Sequence, residues 1–245
     1  MRVAGIPLGV GQNTFDPSLT LALLHFDGIN NTQVFLDSSN PSEVFSPISG
    51  NTGVYLSDAW AKFGGTSCYF NGASYLNAIR SQPYTEAGLF ADDWQFDYWV
   101  KPVSILGSKG VFCLYSSNYN TLLSLVITSG ILSLKATVAS TGFGLDVGVQ
   151  HQTALLANTE YHIRGLRKDG YIRLFLDGIE ATTPYNIGST QLLSNALSYN
   201  IEVGRAYRAG FPTADQFYGY TDEFRFRKEA VYTGNFTPPT APFAA

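Results

Sequence analysis

The side chains in this chain that could do chemistry are scattered rather than paired. Glycoside hydrolysis needs two carboxyl groups flanking one bond, one as acid and one as base or nucleophile. A strand carrying alternate acids would place them on one face, but no E-x-D-x-x-E run is present. Glu43, Glu86, Glu160, Glu180, Glu202, Glu223 and Glu229 are each isolated. Asp222 and Glu223 are adjacent, so on a regular strand they point to opposite faces. Asp92 and Asp93 either do the same or form a turn. No G-x-S-x-G nucleophile elbow, phosphate loop or dinucleotide fingerprint occurs. His162 lies mid-strand in YHIRGL and reads as a hydrogen-bonded structural histidine, and His25 and His151 suggest no role. Cys68 and Cys113 lie in the apolar runs TSCYF and GVFCLY and read as buried free thiols. Two cysteines and three dispersed histidines do not make a structural zinc site. The reading is of a non-enzyme that requires no cofactor.

Binding chemistry has better candidates. Sugars are gripped by exposed aromatic rings with polar groups beside them. The loop GRAYRAGFPTADQFYG offers Tyr207, Arg208, Phe211 and Asp215, and the SSNYN turn offers Tyr115 and Tyr119. Ordinary loop packing and protein–protein contact are the competing readings of the same residues.

The elements that must position these groups read as strands. Aromatic residues and charged residues each make up 14% of the chain, glycines number 24, and net charge is −4. That composition suits many short strands and tight turns. It offers no basic face, so nucleic acid is a poor partner. The cluster Arg164–Lys168 reads as a solvated strand edge. No apolar run approaches the ~18 residues of a membrane helix. The N-terminus lacks the apolar core of a secretory signal, so synthesis in a cytoplasm is expected.

WQFDYWVK alternates, with Trp94, Phe96, Tyr98 and Val100 on one face and Gln95, Asp97, Trp99 and Lys101 on the other. ILSLKATV points Leu132, Leu134, Ala136 and Val138 inward. YIRLFL does the same with Ile172, Leu174 and Leu176, and Asp177-Gly178 then predicts a hairpin. FYGYTDEFRFR places Tyr220, Phe224 and Phe226 on one face. One short helical turn is expected near Lys228–Tyr232. Strand runs recur every ten to fifteen residues, roughly the spacing of an all-β two-sheet antiparallel sandwich of jelly-roll type. Residues 1–20 read as an extended arm, and residues 21–245 as one domain.

Five segments in order carry a family resemblance: LALLHFDG, AKFGGTSCYFNGASYL, DDWQFDYWVKP, NTEYHIRGLRKDGYIRLFLDGIE and GYTDEFRFRKEAVYTGNFTPPTAPF. Together they resemble laminin-G-like domains of the concanavalin A-like lectin and glucanase jelly-roll class. The ending AVYTGNFTPPTAPF resembles that of such domains in bacteriophage structural proteins. The resemblance implies a virion protein with a surface-exposed sandwich, serving capsid decoration, fibre assembly or host attachment. It implies a homo-oligomer, with the arm contacting other virion proteins and a host-surface glycan as a further partner. A free-standing lectin is the alternative, and a glycan-cleaving enzyme a remote one. Relatives of this type hold a structural calcium ion at the sandwich rim. Asp27, Asp37 and Asp222 are the matching candidates here, with turn capping by the same carboxylates as the competing reading.

Overall fold

The computed structural model describes residues 16–41, 44–48, 52–79, 92–116, 121–138, 147–190, 192, 199–206, 215–232 and 234–244. Period-two alternation has done what it implies: two sheets pack face to face, each with nine strands among the described residues. One sheet runs β14 (Ile179–Glu180), β13 (Tyr171–Leu176), β12 (Tyr161–Lys168), β7 (Trp94–Pro102), β18 (Tyr218–Arg227), β5 (Ser67–Asn71) and β4 (Val54–Ser57). In the same sheet β1 (Thr20–Leu24) pairs with β18, and β15 (Tyr185–Asn186) with β13. The other runs β11 (Val147–Ala154), β10 (Ile131–Ala136), β9 (Thr121–Thr128), β8 (Ser108–Ser116), β16 (Tyr199–Val203), β6 (Leu76–Ile79), β3 (Val44–Pro47) and β2 (Phe35–Leu36). A short β17 (Asp215–Gln216) lies parallel to β8, and every other pairing is antiparallel.

The core fills the space between the sheets. Trp94, Phe96, Tyr98 and Val100 of β7 all point into it and are fully buried. Phe96 meets Phe112 of the opposite sheet at 5.1 Å between ring centroids, and Phe112 meets Phe224 at 5.3 Å. Offset and edge-on aromatic pairs of this kind add to plain area burial. The hairpin after YIRLFL is present, with Asp177 at φ 50° and Gly178 at φ 78°, as a two-residue turn between twisted strands requires. Cys68 and Cys113 are both buried and free of any disulfide.

The outer face of the first sheet departs from a half-solvated strand pattern. Gln95 and Asp97 are fully buried there, and Trp99 nearly so. The C-terminal segment covers them. Val231 N–H donates to Gln95 Oε1 at 3.1 Å, Phe236 N–H to Gly178 O at 3.0 Å, and Phe243 N–H to Glu223 Oε2 at 2.8 Å. Phe236 stands under the Arg164 guanidinium at 3.9 Å, and Phe243 lies 4.0 Å from that of Arg225. Two expectations change as a result. Residues 228–232 form no helix, because their backbone is drawn out along the sheet. Arg164–Lys168 is no solvated edge: β12 lies between β7 and β13, and Arg167 is only 3% exposed.

Beneath this cover lies a charged layer. Arg164 Nε donates to Asp97 Oδ1 at 2.5 Å, Gln95 Nε2 donates to Asp97 Oδ2 at 2.6 Å, and Arg225 approaches Oδ2 at 3.5 Å. Burial works against the Asp97 charge, but Arg164 and Arg225 prevail and hold its carboxyl at about 2. His162 is buried. Its ring, however, makes no hydrogen bond among the described residues, and Nε2 is 3.7 Å from Asp97 Oδ1. The imidazole is held edge-on by Trp99 at 5.1 Å and Phe236 at 5.7 Å instead. Burial lowers its pKa to about 4.

Candidate functional site

β18 is regular except at Asp222–Glu223, where its register against β7 shifts and Glu223 adopts φ 53°. This bulge inserts one residue and reverses the facing of everything on one side of it. Thr221 pairs with inward-facing Val100, whereas Tyr220 pairs with Lys101 on the outer face. Tyr220 therefore does not share a face with Phe224 and Phe226, as simple alternation had suggested. It is turned outward and left partly exposed.

Tyr220 there joins a row that crosses four strands. Tyr55 of β4 pairs with Tyr69 of β5, Tyr69 with Tyr220 of β18, and Tyr220 with Lys101 of β7. Ring centroids are 5.0 Å apart for Tyr55–Tyr69 and 5.1 Å for Tyr69–Tyr220, with planes tilted by 44° and 52°. Tyr218 meets Tyr69 edge-on at 6.3 Å. Burial first, then the hydrogen bond with Tyr218, pushes the Tyr69 phenol up to about 12, so this central ring is neutral at ordinary pH. All four tyrosines are partly exposed.

One flank of the row is built by the 58–66 loop. Trp60 packs against Tyr220 at 6.2 Å, and its Nε1 donates to Glu160 Oε2 at 3.3 Å. Lys62 donates to Glu160 Oε1 at 2.7 Å and sits 3.9 Å over the Trp99 ring. Asp222 pins this loop, its Oδ2 accepting the N–H groups of Lys62 at 2.7 Å and Phe63 at 3.1 Å. Asp27 Oδ1 accepts from Gly65 N–H at 3.2 Å. Gly64 has φ 60° and lies so near the Asp27 carboxylate that a Cβ would overlap it, so this turn requires glycine.

These contacts show how the three aspartates expected at a calcium site are engaged in this structure. Asp27 and Asp222 do reach the same loop, but they spend their oxygens on backbone N–H groups. Asp37 lies apart, fully buried, its Oδ1 accepting from Leu23 N–H at 3.0 Å, Ser39 N–H at 2.9 Å and Ser39 Oγ at 2.6 Å. Among the described residues no three Asp, Glu, His or Cys side chains gather as a metal would require. The three aspartates anchor turns. The bulge also changes the reading of Asp222 and Glu223. Both carboxylates reach the outer side of the sheet: Asp222 holds the loop, while Glu223 takes His25 Nδ1 at 2.9 Å and Phe243 N–H.

Of the binding residues expected from sequence, Tyr207, Arg208, Phe211 and Tyr119 lie outside the described residues. Asp215 is described only through its backbone, which begins β17 beside Lys109 of β8. Of the expected arm, residues 1–15 lie outside the described residues. Asp16–Leu19 runs into β1, with Asp16 O accepting from Arg227 and Leu19 O from Lys228 N–H. The tyrosine row was not anticipated. Its signal lay in Tyr55 and Tyr69, each set between inward-facing neighbours (Val54 and Leu56, Cys68 and Phe70) on strands one hairpin apart.

Comparison with solved structures places this geometry in a known architecture. Domain 4 of AbnA, an extracellular arabinanase of Geobacillus stearothermophilus solved with arabinotriose, superposes with a TM-score of 0.60 at 15% identity, over 87% of this chain and 94% of that one. The receptor-binding domain of botulinum neurotoxin D gives 0.60 at 12% identity over 88% of this chain. A botulinum neurotoxin DC binding domain in complex with SialylT gives 0.58 at 10%. The likeness is one of fold. This chain spans about half the length of the neurotoxin domains. Neither family models nor curated proteins give a match to this chain.

Proposed function

We propose that this protein is a non-enzymatic glycan-binding module, displayed on a bacteriophage particle as a decoration, fibre or host-attachment component. The observation that carries the binding role is the partly exposed tyrosine row Tyr55–Tyr69–Tyr220 flanked by Trp60. Tyrosine supplies rigid contact area and a hydroxyl at little entropic cost, which suits a hydroxyl-rich ligand. The β-sandwich likeness to an arabinanase domain solved with arabinotriose supports the same reading. The phage setting rests on the resemblance of AVYTGNFTPPTAPF to the ends of phage laminin-G-like domains. In that setting residues 1–20 contact neighbouring virion proteins or sister subunits of a homo-oligomer, and no cofactor takes part. A broad glycan array with the purified protein tests the binding role. Binding that is lost on Tyr69→Ala, in a variant that still melts cooperatively, is the expected result. An array with no bound glycan would remove the proposal.

A further inference from the structure

The tyrosine row ends on a cation, and this narrows its ligand. Lys101 follows Tyr220 directly on the same face of the sheet. Its neighbour Lys62 is neutralised by Glu160 at 2.7 Å, whereas the Lys101 side chain makes no ion pair among the described residues. Glu160 feels both lysines but pairs with Lys62, and Asp58 and Asp222 lie on the same flank, so Lys101 is the cation at the end of the row that no described carboxylate pairs. The rings repeat at 5.0 and 5.1 Å because each stands on the next strand of the sheet. That repeat is close to the length of one sugar unit in an extended polysaccharide. An extended polypeptide lying across the strands would present same-face side chains about 6.7 Å apart and would drift out of step within three rings.

We propose that the row binds an acidic polysaccharide chain laid across the strands. Successive sugars meet Tyr55, Tyr69 and Tyr220, and a carboxylate of the chain meets Lys101. The proposal rests on the glycan-binding reading above and adds to it the charge, direction and minimum length of the ligand. Trp60 closes one side of the track against Tyr220, and its loop is fixed by Asp222, so the track is shaped before any ligand arrives.

Titration calorimetry with galacturonate, mannuronate and hyaluronan oligosaccharides, each beside its carboxyl-reduced neutral form, tests this. At least one acidic hexamer is expected to bind, with its neutral form about tenfold weaker, the scale of one hydrogen bond to a charged group. Its trimer should keep most of the affinity and its monosaccharide should lose it. Lys101→Met keeps the aliphatic stem over the sheet and should lower acidic binding to the neutral level. Tyr55→Ala, on the strand that ends the sheet among the described residues, should weaken both forms. Equal binding of acidic and neutral forms with an inert Lys101→Met would overturn the acidic assignment and leave the glycan reading standing. Absence of binding by every acidic and neutral glycan would overturn both. Selection of peptides but no glycans, lost on Tyr55→Ala, would give the surface to a protein partner and also overturn both.

Discussion

Asp97 and Arg164 form an ion pair on the outer face of the first sheet, Oδ1 to Nε at 2.5 Å, with the carboxylate fully buried. An ion pair so placed has lost water on the carboxylate side. It holds because Arg225 and Gln95 complete the shell and because Phe236 and Phe243 close over the two guanidinium groups. The residues closing it come from the end of the chain, so the C-terminal segment is part of the fold.

Removing the acid from this layer should be costly. Asp97→Ala leaves Arg164 and Arg225 buried against each other, and breaking a buried pair in this way costs about 3–5 kcal/mol. Chemical denaturation should show that loss. Replacing the whole layer with well-packed apolar side chains should cost much less, because no stranded charge remains. A loss below about 1 kcal/mol for Asp97→Ala would mean that water reaches the layer.

The same layer sets an acid limit on stability. Burial lowers His162 from 6.5 to about 4, so the unfolded chain takes up this proton first as pH falls. Its contribution is present above about pH 6.5 and is lost as pH drops toward 4, amounting to about 3 kcal/mol. Asp97, held at about 2, extends the loss below pH 4. Asp222 acts in the opposite sense: burial raises it to about 7, so its contribution is present below the ordinary aspartate range and fades as pH rises through 7. Stability curves for the native protein and His162→Phe isolate the histidine. The native protein should lose stability relative to the variant between pH 6.5 and 4, and parallel curves would contradict the assignment.

Asp222 should matter to the flank of the tyrosine row more than to the core. Asp222→Ala removes the acceptor of the Lys62 and Phe63 N–H groups. The expected cost is about 1–3 kcal/mol, with faster hydrogen exchange confined to the 58–66 loop and weaker glycan binding. Added calcium should not restore either. Unchanged exchange in that loop would show that Asp222 does not hold it.

The sequence by itself determined the sandwich and most of its facing. Alternation in WQFDYWVK, ILSLKA and YIRLFL is a local property, and burial of one face follows from it directly. The Asp177-Gly178 hairpin was legible for the same reason, since a type I′ two-residue turn needs positive φ at both positions and Asp-Gly supplies it. What a residue touches across the fold was not legible. The bulge at Asp222–Glu223 is fixed by partners far away in the chain: the 62–63 backbone, His25 and Phe243. Without those partners, alternation puts Tyr220 in the core beside Phe224. With them, it stands outward beside Tyr69 and completes the row. The tertiary structure likewise decided that Asp27, Asp37 and Asp222 cap turns, because nearby N–H donors reached their oxygens. It also decided that Gln95 and Asp97 on the outer face of β7 are dry, because residues 231–243 fold back over that part of the sheet.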